Sequence, residues 1–432
     1  MPAPLDPVVS DASLPARTGV VIIGGGIIGV CIALFLAEKG HAVVLCEKGR
    51  IGAEQSSRNW GWCRTMGRDE AEIPLAMESL RLWRGLDQRI GRETGFRQSG
   101  IVYLCETAKE LANHEAWLER ARQYQVDARL LAANDIAAVL PGAAVRYVGA
   151  LHTPSDGRAE PSQAAPAIAE AARALGATIL TECAVRGLDI QGGRVCGVVT
   201  EKGRVAADAV VLAGGAWSRL FCGNAGVRLP ALSVLGSVFR TMPLSGGPET
   251  SASGGRFAFR KRLDGGYSIA RRNASYSEIT PDSFRLFFDF LPRLLTSYHE
   301  LRFGIGRRFL EEARRKRRWS LDETTPFEAV RVLDPPPREG ALREALAALP
   351  RAFPAFAGIE VAQSWGGLID VTPDAVPVID RVDTLPGFFL ATGFSGHGFG
   401  IGPGAGRLMA ELVAGDAPVV DPAPFRFARF AR

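Results

Sequence analysis

Val20-Val21-Ile22-Ile23-Gly24-Gly25-Gly26-Ile27-Ile28-Gly29 is the stretch on which the reading of this 432-residue chain turns. Four β-branched residues in a row suit a buried parallel strand, and the glycines that follow have the GxGxxG spacing. Helix-compatible residues continue to Glu38-Lys39, and Gly40 ends them. A second apolar run, Ala42-Val43-Val44-Leu45-Cys46, then delivers Glu47 eighteen residues past Gly29. This is a βαβ unit with an acid at the end of its second strand. Gly24 makes the turn, Gly26 lets backbone approach a pyrophosphate, and Gly29 with Ala33 and Ala37 permits close helix packing. The helix N-terminus faces the phosphates with free N–H groups, and Glu47 accepts from ribose hydroxyls. The unit predicts a bound dinucleotide without deciding between FAD and NAD, since both use it.

Composition sets the frame around this unit. At 47% hydrophobic and 22% charged, the chain is too long for one small module and too apolar for disorder, which implies two or three packed domains or two interleaved ones. Its net charge of +5 argues against a dedicated nucleic-acid coat protein. Seven cysteines (31, 46, 63, 105, 183, 196, 222) include no CxxC pair and read as thiols of a reducing cytosol. Five histidines (41, 114, 152, 299, 397) lack metal-ligand spacing, so no metal is expected. Residues 19–37 are uncharged and long enough to suggest a membrane span. The glycines in their middle would weaken such a helix, and upstream Asp6 and Asp11 with only Arg17 are unlike a secretory leader. A cytoplasmic protein is expected.

Further along, Gln55-Ser56-Ser57-Arg58 lies in a loop running through Trp62, Cys63 and Arg64. Helical patterns near 70–90, 107–123 and 161–175 alternate with strand signals near 98–104, 177–181, 183–190 and 193–200, the last pair joined by Gly192-Gly193. Strand Ala209-Val210-Val211-Leu212 enters Ala213-Gly214-Gly215-Ala216-Trp217-Ser218. Near the C-terminus, Phe388-Phe389-Leu390-Ala391-Thr392 leads through Gly393-Phe394-Ser395 into Gly396-His397-Gly398-Phe399-Gly400-Ile401, with a helix predicted from about 403 to 414 and Pro403 in its first turn.

These pieces together resemble the D-amino-acid oxidase superfamily of flavoproteins, which includes glycine oxidase, sarcosine oxidase, D-amino-acid dehydrogenases and bacterial L-amino-acid deaminases. Gln55-Ser56-Ser57-Arg58 and a helical insertion point to the deaminase branch. The resemblance covers nearly the whole chain and implies an α/β fold: a Rossmann-like FAD domain of discontinuous segments, and an α+β substrate domain with a large mixed sheet. The segments expected are 17–95, 151–225 and 359–420 for FAD, and 96–150 and 226–358 for substrate. It also implies that Lys48, Val185, Gly214, Gly215 and Trp217 join the fingerprint residues and the 55–58 loop in contacting FAD. The activity implied is oxidation of an amino-acid C–N bond, with electrons passing to oxygen or a membrane quinone.

The chemistry asks the protein to orient and polarise. Backbone N–H groups of a helix starting near Gly400 suit the flavin edge where negative charge develops, so Gly396, His397, Gly398, Phe399, Gly400 and Ile401 form the expected flavin-edge set. An amino-acid carboxylate is held best by an arginine fork. After the turn Leu263-Asp264-Gly265-Gly266, strand Tyr267-Ser268-Ile269-Ala270 leads to Arg271-Arg272, whose side chains alternate across the sheet. By resemblance to the deaminases Arg272 is the candidate, with Arg64 next and Arg68 behind it. His397 is expected to pack or hydrogen-bond near the cofactor rather than serve as a base, and Trp365 and Trp62 to wall the substrate site or fill the core.

Residues 281–319 form a helical, amphipathic insertion. Within 302–318 eight basic residues against two acidic ones give a net +6, so the remainder of the chain is about neutral. Such a face over 284–318 suits peripheral contact with an anionic membrane, or equally a solvated helix face with its apolar side packed inward. The alternatives are a flavin-dependent RNA-modifying protein, weakened by the lack of an RNA-binding module, and an oxidase or dehydrogenase of an N-alkylated amino acid such as sarcosine or a cyclic imino acid; nucleic acid is not an expected partner. An electron-relay subunit with no substrate of its own is a third reading.

Overall fold

In the computed structural model, which describes residues 5–272, 275–297 and 301–431, the opening unit is strand Arg17–Ile23, helix Ile27–Glu38 and strand Val43–Cys46. His299 lies outside the described residues. The first strand is central in an eight-stranded sheet, pairing in parallel with Gly203–Leu212 on one side and Val43–Cys46 on the other. Thr178–Leu180 extends one edge, and the antiparallel strands Val185–Gln191 and Arg194–Thr200 extend the other. Phe388–Thr392, from nearly 180 residues later, also pairs in parallel with Gly203–Leu212 and carries Val378–Arg381. Three distant segments therefore build one sheet.

Residues 19–37, long enough to invite a spanning reading, are divided between the first strand and helix Ile27–Glu38, which is buried from Ile27 to Ala37. That helix is wedged between helices Pro161–Ala174 and Gly398–Ala414. No helix among the described residues is long and apolar enough to cross a membrane.

The C-terminal helix starts at Gly398, five residues before the predicted start, and Pro403 stands inside it. Repeated glycines argue against a helix by propensity, but packing decides here. A Cβ on Gly400 would come 2.7 Å from the Trp62 carbonyl oxygen, and one on Gly404 would come 2.8 Å from that of Leu75. Only glycine lets this helix approach backbone on several sides.

A ten-stranded mixed sheet forms the second layer. Its order is Leu301–Gly304, Ser275–Glu278, Leu232–Thr241, Tyr267–Ala270, Phe257–Lys261, Ser251–Gly254, Ile101–Cys105, Gly149–Thr153 and Arg129–Ala132. Val361–Val371, within the 359–420 segment expected for FAD, lies antiparallel to Leu232–Thr241 in this sheet. Gly149–Thr153 likewise continues the sheet past residue 150. Helix Glu339–Ala352 covers one face, where Phe239, Phe257, Phe259, Tyr267, Phe353 and Phe356 make an aromatic core.

The insertion is not one continuous amphipathic helix. It comprises helices Pro281–Arg285 and Phe287–Ser297, strand Leu301–Gly304 and helix Arg307–Arg314. Its strand pairs in parallel with Ser275–Glu278, which fixes the insertion to the sheet edge.

Candidate active site

The glycine turns of the two ends of the chain meet around one cleft of about 1200 Å³. Gly24, Gly26, Ile27, Ile28, Glu47 and Lys48 line it from the first βαβ unit, and Gln55 and Ser56 from the following loop. Val185, Gly214, Gly215 and Trp217 contribute from the middle segment; Gly396, Gly398 and Phe399 close the late end. The lining runs from the first glycine turn through the end of the second strand to the late glycine turn, the surfaces a dinucleotide would touch.

Several observations test the fit to FAD. The helix beginning at Ile27 has no side-chain cap at Gly26, leaving its positive end open to the cleft. Ser56 Oγ accepts from the Ile27 N–H at 2.9 Å, so the 55–58 turn is tied to the phosphate-facing helix. Gln55 Oε1 is buried without a partner among the described residues, an acceptor suited to a ligand N–H or hydroxyl. The Glu47 carboxylate accepts from Gly25 N–H and from Gly49 N–H, each at 2.7 Å, and each oxygen keeps a lone pair for a ribose. Burial raises its pKa against the pull of Lys48.

Other expected contacts lie behind the cleft. Gly29 packs on the Gly24 carbonyl. Ser57 is buried, and its hydroxyl donates to Glu54 O at 3.3 Å. Arg58 is buried, giving Nη1 to Asp334 at 2.6 Å and to Gly366 O at 2.9 Å. Gly400 O accepts from Ser79 Oγ and Trp83 Nε1, both at 2.9 Å, and Ile401 is core. Trp365 is buried against Val238, Ala270 and Trp60 and donates Nε1 to Arg58 O at 3.0 Å; it holds the 55–58 turn from behind. Lys48 donates Nζ to Glu54 at 2.6 Å and to the carbonyls of Val330 and Arg331. Glu54 also accepts from Trp217 Nε1 at 3.0 Å and from Leu333 N at 3.1 Å.

Strand Trp62–Cys63 runs directly behind Gly400, so Arg64 emerges beside the flavin end of the cleft. The guanidinium carbon of Arg272 stands 5.3 Å from the centre of the Tyr103 ring and that of Arg64 5.8 Å from it. Trp62 lies 6.1 Å from the same ring, and Trp60 5.2 Å from Trp62 edge-on. Arg64 is anchored to Met66 O. Arg271 takes the other face and pairs with Glu344 at 2.6 Å. Buried Nη1 atoms of Arg272 and Arg68, and Trp62 Nε1, have no hydrogen-bond partner among the described residues. Two guanidinium groups and an indole thus gather around Tyr103, and unused donors of Arg272 and Trp62 lie among them.

Two buried acids escaped the sequence reading. Glu72 is fully buried and lies 3.0 Å from His397 Nδ1. Burial works to raise its pKa, yet His397, Arg68 and Arg64 carry it below the ordinary value. Burial and Arg68 push His397 down to about 4, so the neutral ring donates Nδ1–H to an ionised Glu72. Nothing in Asp69-Glu70-Ala71-Glu72 distinguishes this carboxylate from exposed neighbours. Asp370, on strand Val361–Val371, accepts from Gly393 N at 2.6 Å and Thr392 Oγ1 at 3.1 Å, and burial raises its pKa. Its signal was an acid within an apolar strand.

Residues 19–412 match the FAD dependent oxidoreductase family. Among curated proteins, the chain is 27% identical to the sarcosine oxidase subunit beta of an Arthrobacter species over 95% of its own length and 90% of the relative's. It is 26% identical to glycine oxidase of Pseudomonas aeruginosa, over 94% and 97%. Among solved structures, L-amino acid deaminase from Proteus myxofaciens superposes with a TM-score of 0.96 at 34% identity, covering 100% of this chain and 97% of that one. The L-amino acid deaminase of Proteus vulgaris gives 0.93 at 31%, covering 98% and 100%. With its glycine turns from both ends of the chain around one cleft, the chain belongs to the FAD dependent oxidoreductase family and carries FAD as its cofactor.

Proposed function

We propose that the protein oxidises the C–N bond of an α-amino acid, the imine product hydrolysing in water to a keto acid and an amine. Bound FAD supplies the hydride acceptor. Similarity to two L-amino acid deaminases favours the L series. On this reading the segments forming the eight-stranded sheet make the FAD domain and the ten-stranded sheet makes the substrate domain. The observation that carries the proposal is Arg272: half-buried, over the Tyr103 ring at 5.3 Å, with a buried Nη1 that has no acceptor among the described residues. Its fork holds the substrate carboxylate, while Arg64 and the rings of Trp62 and Tyr103 bound the rest. The fingerprint glycines, Glu47, Gln55 and the Gly396–Phe399 turn hold the cofactor. His397, with Nδ1–H committed to Glu72, orients the start of the C-terminal helix and takes no proton from the substrate. The amine must arrive neutral, so turnover is expected to rise with pH as it loses its proton.

Electrons pass onward to oxygen or to a membrane quinone. Peripheral membrane contact by the insertion is supported by its exposed apolar side chains, with Phe288 at 72%, Leu295 at 73% and Ile305 at 75% exposure. Anaerobic mixing with L-, D- and N-methyl amino acids tests the substrate class by bleaching of the flavin. Arg272→Ala is expected to retain FAD and weaken carboxylate substrates by about 2–5 kcal/mol; unchanged kcat/KM would move the fork to Arg64. Failure of every amino acid to bleach the flavin would overturn the reading.

A further inference from the structure

A second cleft, of about 1330 Å³, shares the Gly215–Trp217 turn with the flavin cleft and opens between helix Ser218–Asn224 and the insertion. Six arginines line it (219, 228, 308, 315, 317 and 318) against Asp282, Glu312 and Asp370, a surplus of three positive charges. Four of the eight basic residues within 302–318 thus line this cleft, and Arg219, Arg308, Arg315 and Arg317 are half-buried.

Five of the six have partners. Arg219 and Arg317 reach Asp282 at 2.7 and 2.9 Å, Arg228 reaches Asp289 at 2.6 Å, Arg308 reaches Glu312 at 2.7 Å, and Arg318 donates to Asn224 O at 3.0 Å. Arg315 differs. It makes no hydrogen bond or ion pair among the described residues, and its guanidinium lies 5.3 Å over the Trp217 ring. Burial holds it below the ordinary arginine value. With its carbon over the indole and no acceptor among the described residues, the guanidinium keeps N–H groups that can match a phosphate or carboxylate bidentately.

We propose that this cleft binds a small soluble dianion, phosphate-bearing or dicarboxylic, with Arg315 as the principal anchor and Arg308 and Arg318 beside it. A recessed site with a surplus of charge takes a compact ligand, whereas a polymer or a flat surface would be met by exposed arginines. The site is separate from the amino-acid site and stands whether or not the substrate reading holds.

The test is isothermal titration of the FAD-loaded full chain at about pH 8 with sodium phosphate and, separately, sodium succinate, with sodium chloride as control. Saturable binding of either dianion is expected, and the stronger of the two identifies the ligand type. Arg315→Gln should weaken it on the order of tenfold or more with FAD content unchanged. Arg318→Gln, at an exposed position, should weaken it by about threefold and carries the test if R315Q does not fold. No saturable binding of either compound, or equal affinity in the folded variants, overturns the proposal. Arg315-dependent capture on phosphatidylglycerol vesicles without binding of either soluble dianion overturns it in favour of a lipid headgroup.

Discussion

His397 and Glu72 make an acid-sensitive pair at the flavin end of the cleft, 3.0 Å apart, with Glu72 fully buried and the His397 side chain 23% exposed. In the unfolded chain the ring takes a proton near 6.5, whereas in the fold it resists until about 4. Between those values the unfolded state binds more protons, so stability falls as pH drops through that window. The span of about 2.5 units corresponds to on the order of 3 kcal/mol. His397→Asn is expected to flatten this part of the profile, read as melting temperature against pH from 7 to 4; the same slope in both proteins would assign the loss to other groups. At this scale the sequence was uneven. Arg271 and Arg272 follow the end of strand Tyr267–Ala270 and take different surroundings, Arg271 meeting Glu344 and Arg272 the Tyr103 ring. Glu72 was illegible, since its burial depends on a helix more than three hundred residues away.

Glycines within helices have opposite meanings in two elements of this protein. In helix Ile73–Ile90, Gly85 is exposed and an added Cβ would meet nothing within 4 Å. Gly85→Ala is expected to stabilise by about 0.5–1 kcal/mol through backbone entropy and helix propensity. In helix Gly398–Ala414, a Cβ on Gly406 would lie 2.8 Å from the Cys31 carbonyl carbon and 3.0 Å from the Ile32 nitrogen, atoms that cannot turn aside. Gly406→Ala is expected to destabilise by about 1–3 kcal/mol because overpacking outweighs the same propensity gain. Urea midpoints of the two variants, moving in opposite directions, check the pair. The contrast explains why the late helix was predicted too short: propensity is written in the sequence, whereas the neighbour that demands a glycine is not. The opening unit was legible because strand, turn and helix signals there are contiguous.

Across the whole molecule the two large sheets are joined by a buried ion pair. Arg260, on strand Phe257–Lys261, meets Glu160, at the start of helix Pro161–Ala174, at 2.6 Å, with both side chains almost wholly buried. Arg260 also donates to Trp60 O at 2.6 Å, so one guanidinium fixes the loop that carries Arg64. Arg260→Met is expected to cost about 3–5 kcal/mol by leaving Glu160 uncompensated, and the double variant with Glu160→Leu to recover much of it. Denaturant midpoints of the four proteins in the cycle measure this. Which strands share a sheet was the part least legible: Val361–Val371 joins the ten-stranded sheet because its partner, Leu232–Thr241, lies more than a hundred residues earlier. The same separation bears on biosynthesis. Helix Ile27–Glu38 leaves the ribosome some 360 residues before helix Gly398–Ala414, against which it packs; at about 5–20 residues per second it waits roughly 20–70 seconds with an apolar flank bare. Cofactor loading therefore belongs to the released polypeptide, and a premature stop anywhere before residue 398 yields a nascent fingerprint with no lid to hold what it binds.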